Sequence, residues 1–372
     1  MPPGLKDVAA RAGVSIKTVS NVVNGYVHVA PDTRARVQRA IDDLGYKPNM
    51  AARQLRRGRS GVIALAVPEL QSPYFAELAG RIVQAAERRS WTVLIDQTDG
   101  QAERERNLVA GLRRHAIDGL IFSPLALAGE ELAHGGDGTP MVLLGERVWH
   151  GPADHVAIDN TAAAADATRH LCESGRRRIA AIGAQDSPSA VTAHQRLAGY
   201  RAALLEAGLP VDPALIAEVA MFHRADGAAA MARLLDAPEP PDAVFCFNDV
   251  LALGAIRTLL DRGCAVPGDV AVVGFDDIED GRFSTPTLST ISPDLGRIAE
   301  LAVDLLAERL GDGEPSVRSR AVVGRSDGEP SVPSRAVVGR SDGGPAVAAP
   351  REVRVGYRLV VRESTLGRTT GA

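Results

Sequence analysis

The chain has 372 residues, 45% of them hydrophobic, 24% charged and 4% aromatic, so it carries apolar mass for one large or two medium cores and cannot be disordered throughout. No apolar run approaches the roughly 18 residues of a membrane span, and Lys6, Asp7 and Arg11 stand where a secretory signal would be apolar. The net charge of -4 hides an asymmetry: residues 1–60 hold eleven Lys and Arg against four Asp, a local +7, and the remainder carries -11. A basic module on an acidic body is the footprint of a polyanion reader. Cys172, Cys246 and Cys264 form no CxxC pair, which predicts buried thiols in a reducing cytoplasm with no disulfide and no metal site.

From the N-terminus, Leu5, Val8, Ala9 and Ala12 repeat at helical spacing, Gly13 breaks the helix, and Ser15 is a natural cap for a second helix over Ile16 to Val23. Small Ala9 at the crossing, Gly13 in the turn and Val19 between the helices are what a helix-turn-helix needs. Ser15, Ile16, Lys17, Thr18, Ser20 and Asn21 are left facing outward. Lys and Asn can read purine edges in a major groove, Ile16 can touch a thymine methyl, and hydroxyls at a helix start can bond phosphates. Asn24, His28 and Thr33 join this candidate DNA face. A third helix over Pro31 to Leu44, ended by Gly45, closes the three-helix core with Val37, Ala40, Ile41 and Leu44. Next comes a basic segment, Asn49 to Arg57, too short to hold a helix alone in water. It is expected to order against a partner, with Asn49, Ala52, Arg53 and Leu55 as its candidate DNA contacts.

The order of helix-turn-helix, third helix, YKPN and AxxL segment resembles the LacI/GalR family of bacterial transcription regulators. That resemblance implies a headpiece over 1–48, a hinge helix and linker over 49–60, and an effector-binding and dimerising body over 61–372. By the same resemblance Leu55 of each subunit wedges open a base step, and a homodimer, with a tetramer as the larger option, grips a palindromic double-stranded operator.

From Gly61 onward apolar runs alternate with amphipathic segments, the pattern of an α/β fold with parallel sheets covered by helices. Strands are predicted at Val62–Val67, Trp91–Asp96, Gly119–Phe122, Met141–Leu144, Val156–Ile158, Ile179–Gly183, Ala243–Phe247 and Val270–Phe275, with a last strand at Glu352–Val361. Eight or nine strands are too many for one comfortable sheet, which divides the body into two lobes with a ligand cleft at the carboxyl ends of their strands. The reading sets lobe 1 at about 61–160 and 290–310, and lobe 2 at about 161–289 and 350–362. Residues 312–326, DGEPSVRSRAVVGRS, recur at 327–341 with Pro333 in place of Arg318. This Pro, Gly and Ser-rich tandem within 311–350 is expected to be a disordered insertion.

The motifs SPYF at 72–75, VAIDN at 156–160, RLAGY at 196–200, FCFNDVLALGAI at 245–256 and VVGFDD at 272–277 extend the resemblance over the body. They imply two lobes like those of periplasmic sugar-binding proteins and a cleft lined by Tyr74, Phe75, Arg196, Phe222, Asn248 and Asp276, with Asp159, Thr192 and Asp249 nearby. The chemistry agrees. Arg196 offers a fork of donors, Asp276 offers acceptors for vicinal hydroxyls, and the aromatic rings can stack on a sugar or a base. There is no GxSxG elbow, HExxH or Walker A loop, so no catalytic residue and no cofactor is assigned. The expected function is a DNA-binding repressor controlled by a small molecule, most simply a sugar. The alternative is a sugar-processing enzyme or sugar-binding protein with an accessory DNA module, for which Asp249 or Asp276 would have to serve as a base.

Overall fold

The computed structural model describes residues 3–23, 26, 28–46, 59–112, 115–135, 138–146, 151–311 and 349–366. The segment carrying Asn49, Ala52, Arg53 and Leu55, along with Asn24 and the tandem repeat, lies outside the described residues. The chain divides into two units at Gly61.

In the first unit, α1 (Leu5–Ala12), α2 (Ile16–Val23) and α3 (Pro31–Leu44) enclose a core of Val8, Ala9, Ala12, Val19, Val22, Val37 and Ala40. Gly13 takes the turn at a φ of 64°, a region that costs most other residues strain, and Ser15 caps α2 by accepting from the Thr18 N–H at 3.1 Å. Tyr46 is buried in the same core, which its place after the last helix did not announce.

The second unit contains two six-stranded sheets. One has the order β11, β5, β4, β3, β1, β2 and the other β12, β10, β9, β8, β6, β7. The strands are β1 (Val62–Val67), β2 (Thr92–Gln97), β3 (Gly119–Phe122), β4 (Met141–Leu144), β5 (Asp154–Ile158), β6 (Ile179–Ala184), β7 (Ile216–Glu218), β8 (Ala243–Cys246), β9 (Ala271–Phe275), β10 (Ser289–Pro293), β11 (Glu352–Val355) and β12 (Tyr357–Val360). All neighbours pair parallel except β10 with β12. The central strands are uninterrupted apolar runs because both faces are covered by helices. The helices that matter for the site are α4 (Pro73–Glu87), α7 (Asn160–Glu173), α8 (Val191–Glu206), α9 (Arg224–Leu235), α10 (Asp249–Asp261) and α12 (Leu295–Leu310); between them in chain order lie α5 (Ala102–Gly111), α6 (Gly129–Gly135) and α11 (Glu279–Phe283), with α13 (Glu363–Leu366) last.

Two boundaries need correction. The strand expected over Glu352–Val361 is two strands: β11 pairs with β5 in the first sheet, and β12 pairs with β10 in the second, with Gly356 between them. Residues 289–293 form a strand of the second sheet, whereas the sequence reading places 290–310 in lobe 1. The α12 helix that follows packs on β3, β4 and β5 of the first sheet. Strand β10 escaped the sequence reading because its inward residues include Ser289 and Thr290, both fully buried and hydrogen-bonded through their hydroxyls. The chain therefore crosses between lobes three times, near residues 159, 294 and 356.

The ends that flank residues 312–348 are fastened to one buried carboxylate. Asp154 accepts from the Arg309 guanidinium at 2.7 and 2.9 Å and from the Arg351 N–H at 2.8 Å. Since the flanks are pinned independently of what lies between them, deletion of residues 312–341 should leave the melting temperature within about 2 °C of wild type, as loop length alone costs little. A drop several times larger in a calorimetric scan would show that the repeat packs on the body.

Candidate functional site

The candidate DNA face of the first unit is carried by α2. Ser15, Ile16 and Lys17 are exposed, and Thr18, Ser20 and Asn21 are half-buried along the same helix. Ile16 is 41% exposed, an apolar side chain left in solvent on a helix otherwise anchored by Val19 and Val22. His28 is exposed against the edge of Tyr26, with ring centroids 5.4 Å apart, and Thr33 lies half-buried in the first turn of α3. Replacement of Lys17 or Asn21 by Ala should cost about 1–3 kcal/mol on one preferred base pair and little on others. Equal losses on specific and random duplexes, read by fluorescence anisotropy at fixed salt, would assign these residues to the phosphate backbone instead.

In the body the strand order reverses beside β1 in one sheet and beside β6 in the other, and loops at such reversals form a crevice at the carboxyl ends of the strands. Tyr74 and Phe75 enter this crevice from the first turn of α4, their rings 5.1 Å apart edge to face. Arg196 enters from α8 and is 7% exposed. It is held from three sides: Nε donates to Asn160 Oδ1 at 2.8 Å, one terminal nitrogen donates to the Phe247 carbonyl, and the guanidinium lies 3.5 Å from the centroid of the Phe275 ring. The other terminal nitrogen stands 3.9 Å from Asp276 Oδ1. So Asp276, at the end of β9, has a cationic neighbour without a tight ion pair.

Burial dominates the electrostatics. It pushes the Asp276 carboxyl up to about 7, Arg196 pulling back and Glu146 adding to the rise. Burial, together with the carboxylates of Asp276 and Glu146, pushes the Tyr74 hydroxyl above the ordinary tyrosine range, which keeps it a donor. A ligand that donates to ionised Asp276 should therefore bind more tightly at pH 8 than at pH 6, by up to about tenfold across the titration. Calorimetric affinities equal at both values would remove Asp276 from the contact.

Asn248, expected in the lining, and Thr192, Asp159 and Asp249, expected near it, all make internal hydrogen bonds. Asn248 caps α10 by accepting from the Leu251 N–H at 2.8 Å and donates weakly to the Phe222 carbonyl at 3.4 Å, fixing the loop that carries half-buried Phe222. Thr192 donates to Glu146 at 2.7 Å. Asp159 caps α7 through the Ala162 N–H at 3.0 Å and pairs with Arg354 at 2.8 Å. Asp249 is fully buried beneath the cleft, one oxygen accepting from the Thr290 hydroxyl at 2.6 Å and the other from the Ile278 N–H at 2.9 Å, so its carboxylate is already occupied.

The residues that sequence reasoning missed are Glu146 and Asn160. Glu146 follows β4 and accepts from Asn160 at 2.5 Å as well as from Thr192. Its position at the carboxyl end of a core strand was the available signal. A second contact across the lobes joins Glu69 to His223 Nε2 at 3.1 Å. Among the described residues no cluster of His, Cys, Asp and Glu could hold a metal ion, and no helix is long and apolar enough to cross a membrane.

Two parallel-sheet lobes closing on a polar and aromatic cleft, with a basic helix-turn-helix unit on the same chain, define a DNA-binding regulator with a small-molecule effector domain. Residues 4–49 match the model of bacterial regulatory proteins of the lacI family, and residues 168–326 match the periplasmic binding protein-like domain. The HTH-type transcriptional repressor PurR of Haemophilus influenzae is 35% identical over 318 residues, covering 84% of this chain and 93% of that protein. Among solved structures, the transcriptional regulator CelR in complex with cellobiose is 31% identical at a TM-score of 0.65, covering 97% and 99% of the two chains. The lac repressor dimer bound to operator and the anti-inducer ONPF is 26% identical at a TM-score of 0.77, covering 98% and 99%. The chain belongs to the lacI family of bacterial regulatory proteins.

Proposed function

We propose that this regulator is a repressor that grips a two-fold operator as a homodimer and releases it, or tightens on it, when a sugar occupies the cleft between the lobes. The observation that carries the reading is the meeting of half-buried Tyr74 with buried Arg196 and Asp276: a donor, a fixed guanidinium and a loosely paired carboxylate. That set matches the alternating donors and acceptors of vicinal hydroxyls, and the Phe75 and Phe222 rings offer apolar faces beside it. The cellobiose complex of CelR and the operator-bound dimer of the lac repressor support the ligand class and the assembly. Asn24, Asn49, Ala52, Arg53 and Leu55 complete the proposed DNA contacts, the last as a minor-groove wedge. The cleft is read as a binding site and not a catalytic centre, because Asp249 is committed to internal hydrogen bonds and Asp276 faces an arginine.

Coupling needs only that the effector prefer one lobe arrangement, since a ligand shifts an equilibrium by its differential affinity for the two states. The test is selection of full-length protein against a randomised duplex library at stated salt, followed by a panel of mono- and disaccharides added to the selected complex. An enriched palindrome whose occupancy changes with a sugar supports the reading. Enrichment of a single half-site refutes the dimer, and a palindrome indifferent to every sugar but sensitive to a nucleoside replaces the ligand class.

A further inference from the structure

The carboxylate assigned to the effector sits on unusual backbone. Asp276 has a φ of 113° and Asp277 one of 55°, successive residues with side chains in the left-handed region, where a Cβ crowds its own carbonyl. Such a loop persists only where its surroundings over-determine it. A cavity of about 510 Å³ is walled by Asp276, Asp277, Arg282, Tyr357 and Arg358 among others, so packing does not enclose the loop fully.

Several ties hold it instead, among them the Asp277 N–H to Thr290 Oγ1 at 3.4 Å and Arg282 to the Asp277 carbonyl at 3.0 Å. The Asp276 N–H donates to the Ile291 carbonyl at 2.8 Å. The Ile278 N–H donates to Asp249 at 2.9 Å, and Asp249 can reach this place because residue 274 is glycine, where a methyl group would collide with that carboxylate. The side chain of Asp277 adds more: its carboxylate accepts from Arg362 at 2.6 Å, Ser292 at 2.9 Å and Arg282 at 3.3 Å. Arg362 is itself fixed: its guanidinium donates to the Leu288 carbonyl and its N–H to Ser289 Oγ, each at 2.7 Å.

We propose that Arg362 is a positioning residue of the effector site: by clamping Asp277 it sets the left-handed backbone of Asp276, and with it the direction in which the acceptor carboxylate points. The same arginine sits two residues beyond β12, which Gly356 joins to β11 in the other lobe. A change in lobe angle carried along residues 352–362 therefore reaches the loop through Arg362, and occupancy at Asp276 reaches the crossover by the same route. The proposal rests on the reading that Asp276 accepts from the effector.

The experiment is hydrogen exchange on the full-length protein as wild type, Arg362→Ala, Arg362→Lys and Asp276→Ala, with carbon-13 titration of the Asp276 carboxyl in the first three. The expected result is at least tenfold faster exchange of the 276–278 amides in Arg362→Ala, with β1 and β3 unchanged, partial return in Arg362→Lys, and an Asp276 midpoint at least one pH unit lower as the released loop hydrates. Unchanged exchange, or acceleration spread evenly over β8, β9 and β10, overturns the clamp. If the loop loosens as expected while Asp276→Ala still answers to the sugar that wild type selects, the clamp stands and the assignment of Asp276 to the effector falls.

Discussion

Replacing Asp276 with alanine will abolish the effector response, lowering effector affinity by about 100-fold, while the ligand-free protein keeps its affinity for operator. The carboxylate is expected to take two hydroxyl donors, and hydrogen bonds to a charged group contribute about 1.5–3 kcal/mol each. The headpiece has a hydrophobic core of its own, so without effector its operator affinity should survive this substitution. Linkage separates this outcome from misfolding. A buried acid whose carboxyl is raised to about 7 in the fold holds its proton where the unfolded chain has lost it, so its contribution to stability falls as pH rises from about 4 to 7. Asp249, raised by burial and by Asp276, acts with the same sign. Asp276→Ala should thus melt at or above the wild-type temperature at pH 8. Lower melting together with lost operator binding would make Asp276 a structural residue. Arg196→Ala will silence the response too, but it strands Asn160 and the Phe247 carbonyl, so Arg196→Lys is the cleaner companion variant.

Asp154→Ala will cost about 3–5 kcal/mol, because it leaves two arginines at the edge of the core without the carboxylate that neutralises them. Asp154 is 0% exposed and ties the end of α12, the start of β5 and the residue before β11 together. At about 2–4 °C per kcal/mol for a body of this size, the melting temperature should fall by roughly 10 °C. Burial by itself would raise the Asp154 carboxyl, but the bonds from Arg309 and Arg351 outweigh it and hold the group below its ordinary range. Its stabilisation is therefore present above the unfolded value near 4 and lost as pH falls below it. Asp154→Asn should flatten the acid limb of the stability curve, and an acid limb identical to wild type would show that the cluster contributes nothing net.

The elements that the sequence disclosed are those whose signal is local. Continuous apolar runs marked the central strands, and the Gly13 break with Ser15 after it marked the helix-turn-helix. Tyr74, Arg196 and Asp276 came from the family resemblance of SPYF, RLAGY and VVGFDD, and the fold brings the three side chains near one another. Asp249 is placed near the cleft by the family resemblance, and its bonds to Thr290 and Ile278 depend on a three-dimensional register that no local pattern carries. Glu146 was overlooked because its place just past β4 signals a strand end but not that Asn160 and Thr192 converge on it from the other lobe. The break at Gly356 was invisible for a related reason: β11 and β12 are both extended, and which sheet each joins depends on partners some 200 and 70 residues away.

That division of the last strands has a consequence for how the protein is made. Both sheets wait for residues 352–360 before their final edge strand is in place, whereas every residue of the headpiece core has been translated by Tyr46. A ribosome that stops early therefore releases a DNA reader attached to two unfinished sheets, whose unpaired edges invite aggregation. Control by ligand is the last property the nascent chain acquires, and DNA reading the first. Protease digestion of stalled nascent chains should show the headpiece resistant from about residue 90, once the exit tunnel has cleared it, and the body resistant only after release. A protected body in chains stalled at residue 340 would contradict this order.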